Sequence, residues 1–200
     1  LAGLLLNLVA LWKQEHVSPM TKEQRSAPRP SFAKTWSTFM AEGASARLIL
    51  VVFLGTLAFN MQDVLLEPYG GEILGLAVGQ TTWLTAAWAF GALVGLAYAA
   101  RRLKAGLSAY RLMSNSIFVG LLAFPAVIVS APIGSTILFF AGAFLIGLGS
   151  GLFAVSTLIA AMLLGENENT SHGLALGAWG ASQATSAGLA IALGGTLRDW

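Results

Sequence analysis

From Leu112 to Gly165 the chain runs for 54 residues without an Asp, Glu, Lys or Arg. A soluble domain cannot carry such a run, because charged side chains cover its surface and make up about a quarter of its residues. A helix crossing a hydrocarbon core of ~30 Å needs about 20 apolar residues, so the run is too long for one crossing and suits two. The break is expected at Ala131-Pro132-Ile133-Gly134, where proline and glycine interrupt a helix. The composition agrees: 56% of the 200 residues are hydrophobic and 10% charged, and the fold class that follows is an all-α integral membrane protein. With no cysteine and two histidines, His16 and His172, disulfide frameworks, thiolate zinc sites and cysteine-bound clusters are excluded, and no protein-built metal site is expected. A formal charge of +2 gives no basis for a nucleic-acid partner.

The remaining spans are read in the same way. Residues 1–12 are apolar but reach only about 18 Å as a helix, so they read as the end of a span that begins earlier. Residues 13–46 collect Lys13, Lys22, Arg25, Arg29 and Lys34 with three prolines and read as an aqueous loop. Within it, Phe32, Trp36 and Phe39 or Met40 share one face of a short helix suited to the membrane surface, with a disordered linker as the alternative. Residues 47–200 hold the full spans. The first runs from Arg47 to Glu67-Pro68, the second over Ile73–Ala100, the third and fourth within Leu112–Gly165, and the fifth over Gly173–Leu197. Alternating the faces places ten of the eleven basic residues on one side, which is therefore expected to be cytoplasmic, with the loop 13–46 on that side. The glycine pairs Gly91/Gly95, Gly147/Gly151 and Gly173/Gly177, each four residues apart, are expected to serve close helix packing, the alternative being a flat ligand such as a porphyrin laid against bare backbone. Trp83, Trp88 and Trp179 fall inside spans, where core or lipid-facing filler is the default.

One stretch mixes polar groups with membrane depth: Asn60-Met-Gln-Asp-Val-Leu-Leu-Glu-Pro-Tyr-Gly-Gly-Glu72. Asp63 lies about 24 Å along the helix from Arg47 and Glu67 reaches the boundary, and their i, i+4 spacing puts both carboxylates on one face. An ionisable group inside a span is costly and marks a functional hypothesis. A purely structural account has Asp63 snorkelling to water, Pro68 ending the helix and Tyr69-Gly70-Gly71 making the turn.

The run FNMQDVLLEPYGGEILG, Phe59 to Gly75, resembles the signature of the PucC/LhaA family, the bacteriochlorophyll-delivery branch of the major facilitator superfamily in photosynthetic bacteria. A second run, SHGLALGAWGASQATSAGLAIALGG from Ser171 to Gly195, is similar to that family's eleventh helix. The resemblance implies that residues 1–12 end helix six, that 13–46 form the central cytoplasmic loop, and that 47–200 hold helices seven to eleven of twelve. In one respect the chain departs from the superfamily. Its motif Gly-x-x-x-Asp-Arg/Lys-x-Gly, counted from Gly95, meets Ala99 at the acidic position, followed by Ala100-Arg101-Arg102.

What the resemblance implies is an assembly factor for light-harvesting complexes, not an enzyme, in the inner (intracytoplasmic or chromatophore) membrane of a bacterium. Its expected partners are antenna polypeptides, the reaction-centre core complex and membrane lipid, and its expected ligand is bacteriochlorophyll, bound or handed over. The candidate contacting residues are Asn60, Gln62, Asp63, Glu67, Pro68, Tyr69, Gly70 and Gly71, with His172, Trp179 and Gln183 from the second run. Oxygen and nitrogen atoms among them suit the hard Mg²⁺ of such a pigment. The alternative from another class is a secondary transporter in which Asp63 and Glu67 bind a proton or cation. Against it stands depth, since transport sites lie near the bilayer midplane. A structural subunit beside an antenna ring, in contact through Trp83, Trp88 and Phe90, is a third possibility.

Overall fold

A computed structural model describes residues 31–166 and 172–198, so the expected half-span 1–12, the loop before residue 31 and the link Asn167–Ser171 lie outside the described residues. The chain divides into two compact units, Leu1–Thr35 and Trp36–Trp200. Of the first, the described part is a helix start at which Ser31 Oγ accepts from the Lys34 N–H at 3.4 Å. That helix, α1, spans Phe32–Ala41. Phe39 in its second half is only 2% exposed and belongs to the hydrophobic core, with Trp36 and Met40 packed against that core. The surface-lying stripe expected for it is thus partly a core contact.

Five long helices follow: α2 (Gly43–Glu72), α3 (Val78–Lys104), α4 (Ala109–Ile133), α5 (Thr136–Leu164) and α6 (His172–Arg198). Local chemistry sets their ends. Ser108 and Ser135 cap α4 and α5, each accepting from the N–H three residues on at 3.3 Å. The break expected at Ala131–Gly134 is real, and Gly134 makes it: at φ 65° it is left-handed, and Ser135 N–H donates back to Ser130 O at 2.9 Å. Arg101, Arg102 and Lys104 fill the last turn of α3, where they face the negative end of the helix dipole.

Four of these helices, α2 to α5, are long and apolar enough to cross a membrane, as expected of an integral membrane protein. The fifth expected span is a helix of 27 residues but is not among the four, because Gly, Ala, Ser and Thr replace the branched apolar residues found in the others. The first span also departs from expectation. Instead of ending at Pro68, α2 continues through it to Glu72. Tertiary contacts hold the turn beyond the proline. The Tyr69 hydroxyl donates to Ile128 O at 3.1 Å, and its ring stacks on Phe139 at 5.9 Å.

Helix directions follow from registers. A Cβ on Gly91 would strike Phe144 O and one on Gly95 would strike Leu148 O, a shift of four on both helices, so α3 and α5 run parallel. Likewise Ser182 Oγ donates to Ile49 O at 3.2 Å and Ser186 Oγ to Phe53 O at 2.5 Å, so α2 and α6 run parallel. Gly142 faces Val127 while Gly149 faces Ser116 O, so α4 and α5 run antiparallel. Helices α2, α4 and α6 therefore point one way and α3 and α5 the other. Arg47, Arg101, Arg102, Lys104 and Arg111 gather at one end, and Asp63, Glu67 and Glu72 lie toward the opposite end.

Two contacts hold this arrangement, and lipid cannot supply either. The first is the reciprocal glycine seam in which Gly91 and Gly95 meet the α5 backbone while Gly147 and Gly151 meet the carbonyls of Trp88 and Ala92. The second is a stripe of small buried residues on α6, Ser182, Ser186, Ala190 and Gly194, seated on α2. This stripe carries no contrast in a helix so rich in Gly, Ala, Ser and Thr. The pair expected to serve packing on α6, Gly173/Gly177, meets nothing within 4 Å among the described residues. The serine hydroxyls act between helices, and each such bond contributes about 0.6 kcal/mol in a membrane. We predict that Ser182→Ala/Ser186→Ala lowers stability by about 1 kcal/mol, read as a small drop in the melting temperature of the full-length protein, whereas Ser114→Ala at an exposed position does not.

Candidate functional site

The face of α2 carrying Thr56, Asn60, Asp63 and Glu67 repeats every three to four residues, as one side of an α-helix must. Asp63 and Glu67 line one small cavity of about 110 Å³, closed by Gln62, Leu84, Thr85 and Trp88. Both carboxylates are exposed side chains. Thr85 Oγ1 on α3 donates to Glu67 Oε1 at 2.7 Å, the length of a charge-assisted bond. Gln62 is buried at 7% exposure, and its Nε2 donates to Asp63 Oδ1. The i, i+4 spacing thus brings the two carboxylates to one place, and α3 supplies the hydroxyl that orients one of them.

Toward the basic end lies a second, larger cavity of about 290 Å³, walled by Thr56, Phe59, Asn60, Trp88, Phe153 and Gln183 among others. Among the described residues no Asp, Glu, Lys or Arg lines it. Asn60 Nδ2 donates to Thr56 O at 2.8 Å, and Ser150 Oγ donates to Gly147 O at 2.8 Å. Two polar atoms here are buried with no partner among the described residues: Thr56 Oγ1 and Trp88 Nε1. Such an atom costs about 1–3 kcal/mol when nothing satisfies it, and both atoms belong to residues in the wall of this cavity. Trp88 borders both cavities, so the charged pocket and the neutral one adjoin across a single indole.

On the far side of α2 an apolar groove of about 380 Å³ separates it from α4, walled by Met61, Leu65, Tyr69, Phe124, Val127 and Ile128 among others. Gln62 and Leu66 reach both the groove and the carboxylate pocket.

The other candidate residues fall in different places. Pro68 sits within the helix, and Tyr69 and Gly70 are packing devices, since a Cβ on Gly70 would lie 2.9 Å from the Phe139 ring. Gly71 meets nothing within 4 Å. Trp179 donates its Nε1–H to Thr157 Oγ1 at 3.2 Å and lines neither polar cavity. His172 is the first residue of α6, set against Gly165, where a Cβ would come within 2.8 Å of its Nδ1. It stands at the end of the bundle away from the carboxylates. The structure thus sets Gln62, Asp63 and Glu67 in one cavity and Asn60 and Gln183 in the adjoining one, adds Thr56 and Thr85, which the sequence does not single out, and places Trp88, expected as filler or an antenna contact, between the two. Thr85 and Trp88 sit three apart on α3, a helical spacing visible in sequence, but only the α2–α3 pairing reveals what they face.

A family model described as "PUCC protein" matches residues 1–200. The chain is 57% identical over 98% of its length to an "uncharacterized protein in puhA-bchM intergenic region" of Rhodobacter capsulatus, covering 41% of that protein. It is 45% identical over 99% of its length to "Protein PucC" of Rhodovulum sulfidophilum and over its whole length to "Protein PucC" of Rhodobacter capsulatus, covering 44% and 43% of them. The chain therefore spans less than half the length of these relatives. No solved structure matches it.

Proposed function

The chain belongs to the PUCC protein family, and from that premise we propose that it is part of a membrane-embedded, non-enzymatic assembly factor for photosynthetic antenna complexes, one that assists delivery of bacteriochlorophyll to antenna polypeptides. The observation that carries the reading is the pair of adjoining cavities at Trp88, one neutral with unpartnered polar atoms and one bearing Asp63 and Glu67. On the same reading α2 to α6 correspond to helices seven to eleven of a twelve-helix major facilitator fold, in the inner membrane of a photosynthetic bacterium. The basic end is cytoplasmic by the positive-inside rule.

The residues fit part of such a pigment rather than all of it. Ligand cavities run from about 300 to 1,000 Å³, so a space of about 290 Å³ accepts one edge of a macrocycle. The indole N–H of Trp88 is a donor only and suits a ring carbonyl. The amide oxygens of Asn60 and Gln183 suit a hard Mg²⁺ directly or through water, and the apolar groove along α2 suits a hydrocarbon tail. The pigment supplies the light absorption, and this chain's part is to hold and orient it. The second reading is a secondary transporter in which Asp63 and Glu67 bind a proton or cation; among the described residues Glu67 is engaged by Thr85.

The test is purification of the full-length protein from pigmented membranes. Near-infrared pigment absorption together with co-purifying antenna polypeptides is the expected result. A colourless protein that moves a substrate across reconstituted vesicles would sink the assembly reading. Trp88→Phe sharpens the test, because it removes an unpartnered buried donor. The variant should melt at the same temperature or higher, since about 1–3 kcal/mol of unmet bonding disappears, yet retain several-fold less pigment. A variant that loses stability and pigment together would instead give Trp88 a structural role.

A further inference from the structure

At the basic end, α2 and α4 enclose a cavity of about 300 Å³ that the functional reading does not use. Its walls are Ala44, Leu48, Val51 and Met113, and its polar lining comes from Arg47 and Tyr110. Two features of charge stand out. Ala44 and Tyr110 are each the second residue of their helix, so two helix N-termini, both bearing partial positive charge, converge on this space. Neither first turn carries an acidic residue. Instead Arg47 is the fifth residue of α2 and Arg111 the third of α4, cations at the end of a helix that favours anions.

Nothing among the described residues balances this charge within the cavity. Arg47 Nε donates to Gly43 O at 2.9 Å, which lays the side chain along its own helix, and its terminal nitrogens make no other bond or ion pair among the described residues. Glu42, the N-cap residue of α2, accepts from Ser45 Oγ at 3.5 Å, so its carboxylate stands at that helix's start, but it does not line the cavity and makes no ion pair with Arg47 among the described residues. The Tyr110 hydroxyl is exposed and makes no hydrogen bond among the described residues. Beyond the polar mouth the walls are wholly apolar, and further along the same two helices lies the apolar groove of about 380 Å³. The space thus sets an arginine and a tyrosine hydroxyl at the basic end of the bundle beside apolar walls.

We infer that this cavity binds one anionic phospholipid, its phosphate held by the Arg47 guanidinium and the Tyr110 hydroxyl and an acyl chain lying against Leu48, Val51 and Met113. A free phosphate would meet the same cation but leave the apolar walls uncovered, and a zwitterionic lipid would leave the positive charge unbalanced.

The test uses the full-length protein, stripped of lipid in detergent and returned to vesicles of phosphatidylcholine alone or mixed equally with phosphatidylglycerol. Lipid retained after re-extraction is counted by native mass spectrometry. The expected result is one phosphatidylglycerol held per chain, about tenfold tighter than phosphatidylcholine, with Arg47→Gln removing most of that preference. Arg102→Gln, on α3 at the same end, should leave it unchanged. Val51→Phe keeps the charge but fills the hydrocarbon part, and it should lower retention of both lipids. Equal retention of the two lipids by the unaltered protein would overturn the inference, as would an Arg47→Gln variant that keeps the preference. Full displacement of the lipid by inorganic phosphate would overturn it in favour of a free-anion site.

Discussion

Replacing Gly147 with leucine is expected to separate α3 from α5 and to lower the melting temperature of the full-length protein by about 10 °C, the shift that about 3 kcal/mol gives in a domain of this size. The collision is backbone against backbone. A Cβ at Gly147 overlaps the carbonyl of Trp88, and the same holds for Gly151 against Ala92, Gly91 against Phe144 and Gly95 against Leu148. No side-chain torsion relieves such an overlap, so the helices must move apart. Overpacking a core costs about 1–3 kcal/mol where side chains can shift, and the rigid case lies at the top of that range. Lipid tails are as apolar as the helix faces, so no solvent-exclusion term pulls the separated helices back together. Because the struck carbonyl belongs to Trp88, the displacement also reaches the two polar cavities. Gly177→Leu is the control: nothing among the described residues lies within 4 Å of its Cβ position, and it should melt with the unaltered protein. Melting followed by size-exclusion chromatography on detergent-solubilised protein decides between them. Equal melting of the two variants would refute the seam.

The double substitution Asp63→Ala/Glu67→Ala should leave the fold intact and remove most of the pigmented antenna from the cell. Both carboxylates are exposed, so their loss opens no core cavity, and among the described residues the cross-helix bond lost is that from Thr85 to Glu67. Each hydrogen bond to a charged group is worth about 1.5–3 kcal/mol, and losing one such contact to a pigment or an antenna chain corresponds to about tenfold in occupancy. Antenna absorption measured on whole membranes should fall by at least that factor while the amount of the factor itself, followed by immunoblot, stays level. The amide pair Asp63→Asn/Glu67→Gln separates charge from geometry, since glutamine at position 67 still offers Thr85 an acceptor. Antenna lost in both variants assigns the role to negative charge, and antenna kept in the amide variant assigns it to hydrogen-bond geometry. Wild-type absorption in the alanine pair would dismiss these carboxylates from the function.

What could be read from sequence was what local chemistry controls. Charge-free runs of membrane-crossing length fixed the helices, because in lipid every backbone donor and acceptor must be met inside its own segment. Gly134 marked the turn between α4 and α5, and the i, i+4 spacing of Asp63 and Glu67 placed both carboxylates in one pocket. Local rules failed where a distant contact overrode them. Pro68 looked like an ending, yet Tyr69 fastened to Ile128 and Phe139 carries α2 onward to Glu72.

Which faces meet was decided only by the tertiary structure. Gly91/Gly95, Gly147/Gly151 and Gly173/Gly177 are identical as patterns, but the first two pairs interlock and the third meets nothing within 4 Å among the described residues. The stripe of Ser182, Ser186, Ala190 and Gly194 gave no contrast against the rest of a helix rich in small residues, and Trp88 looked like filler until Thr56, Asn60 and Gln183 were found around it. In water, the hydrophobic pattern of a helix shows which face turns inward. In a bilayer both the lipid and the protein interior are apolar, so that signal vanishes and the choice of partner rests on shape and a few hydroxyls. The sequence determined a set of membrane helices with a polar segment on one of them. Their packing determined that the segment borders two cavities, one neutral and one charged, with a single tryptophan between them.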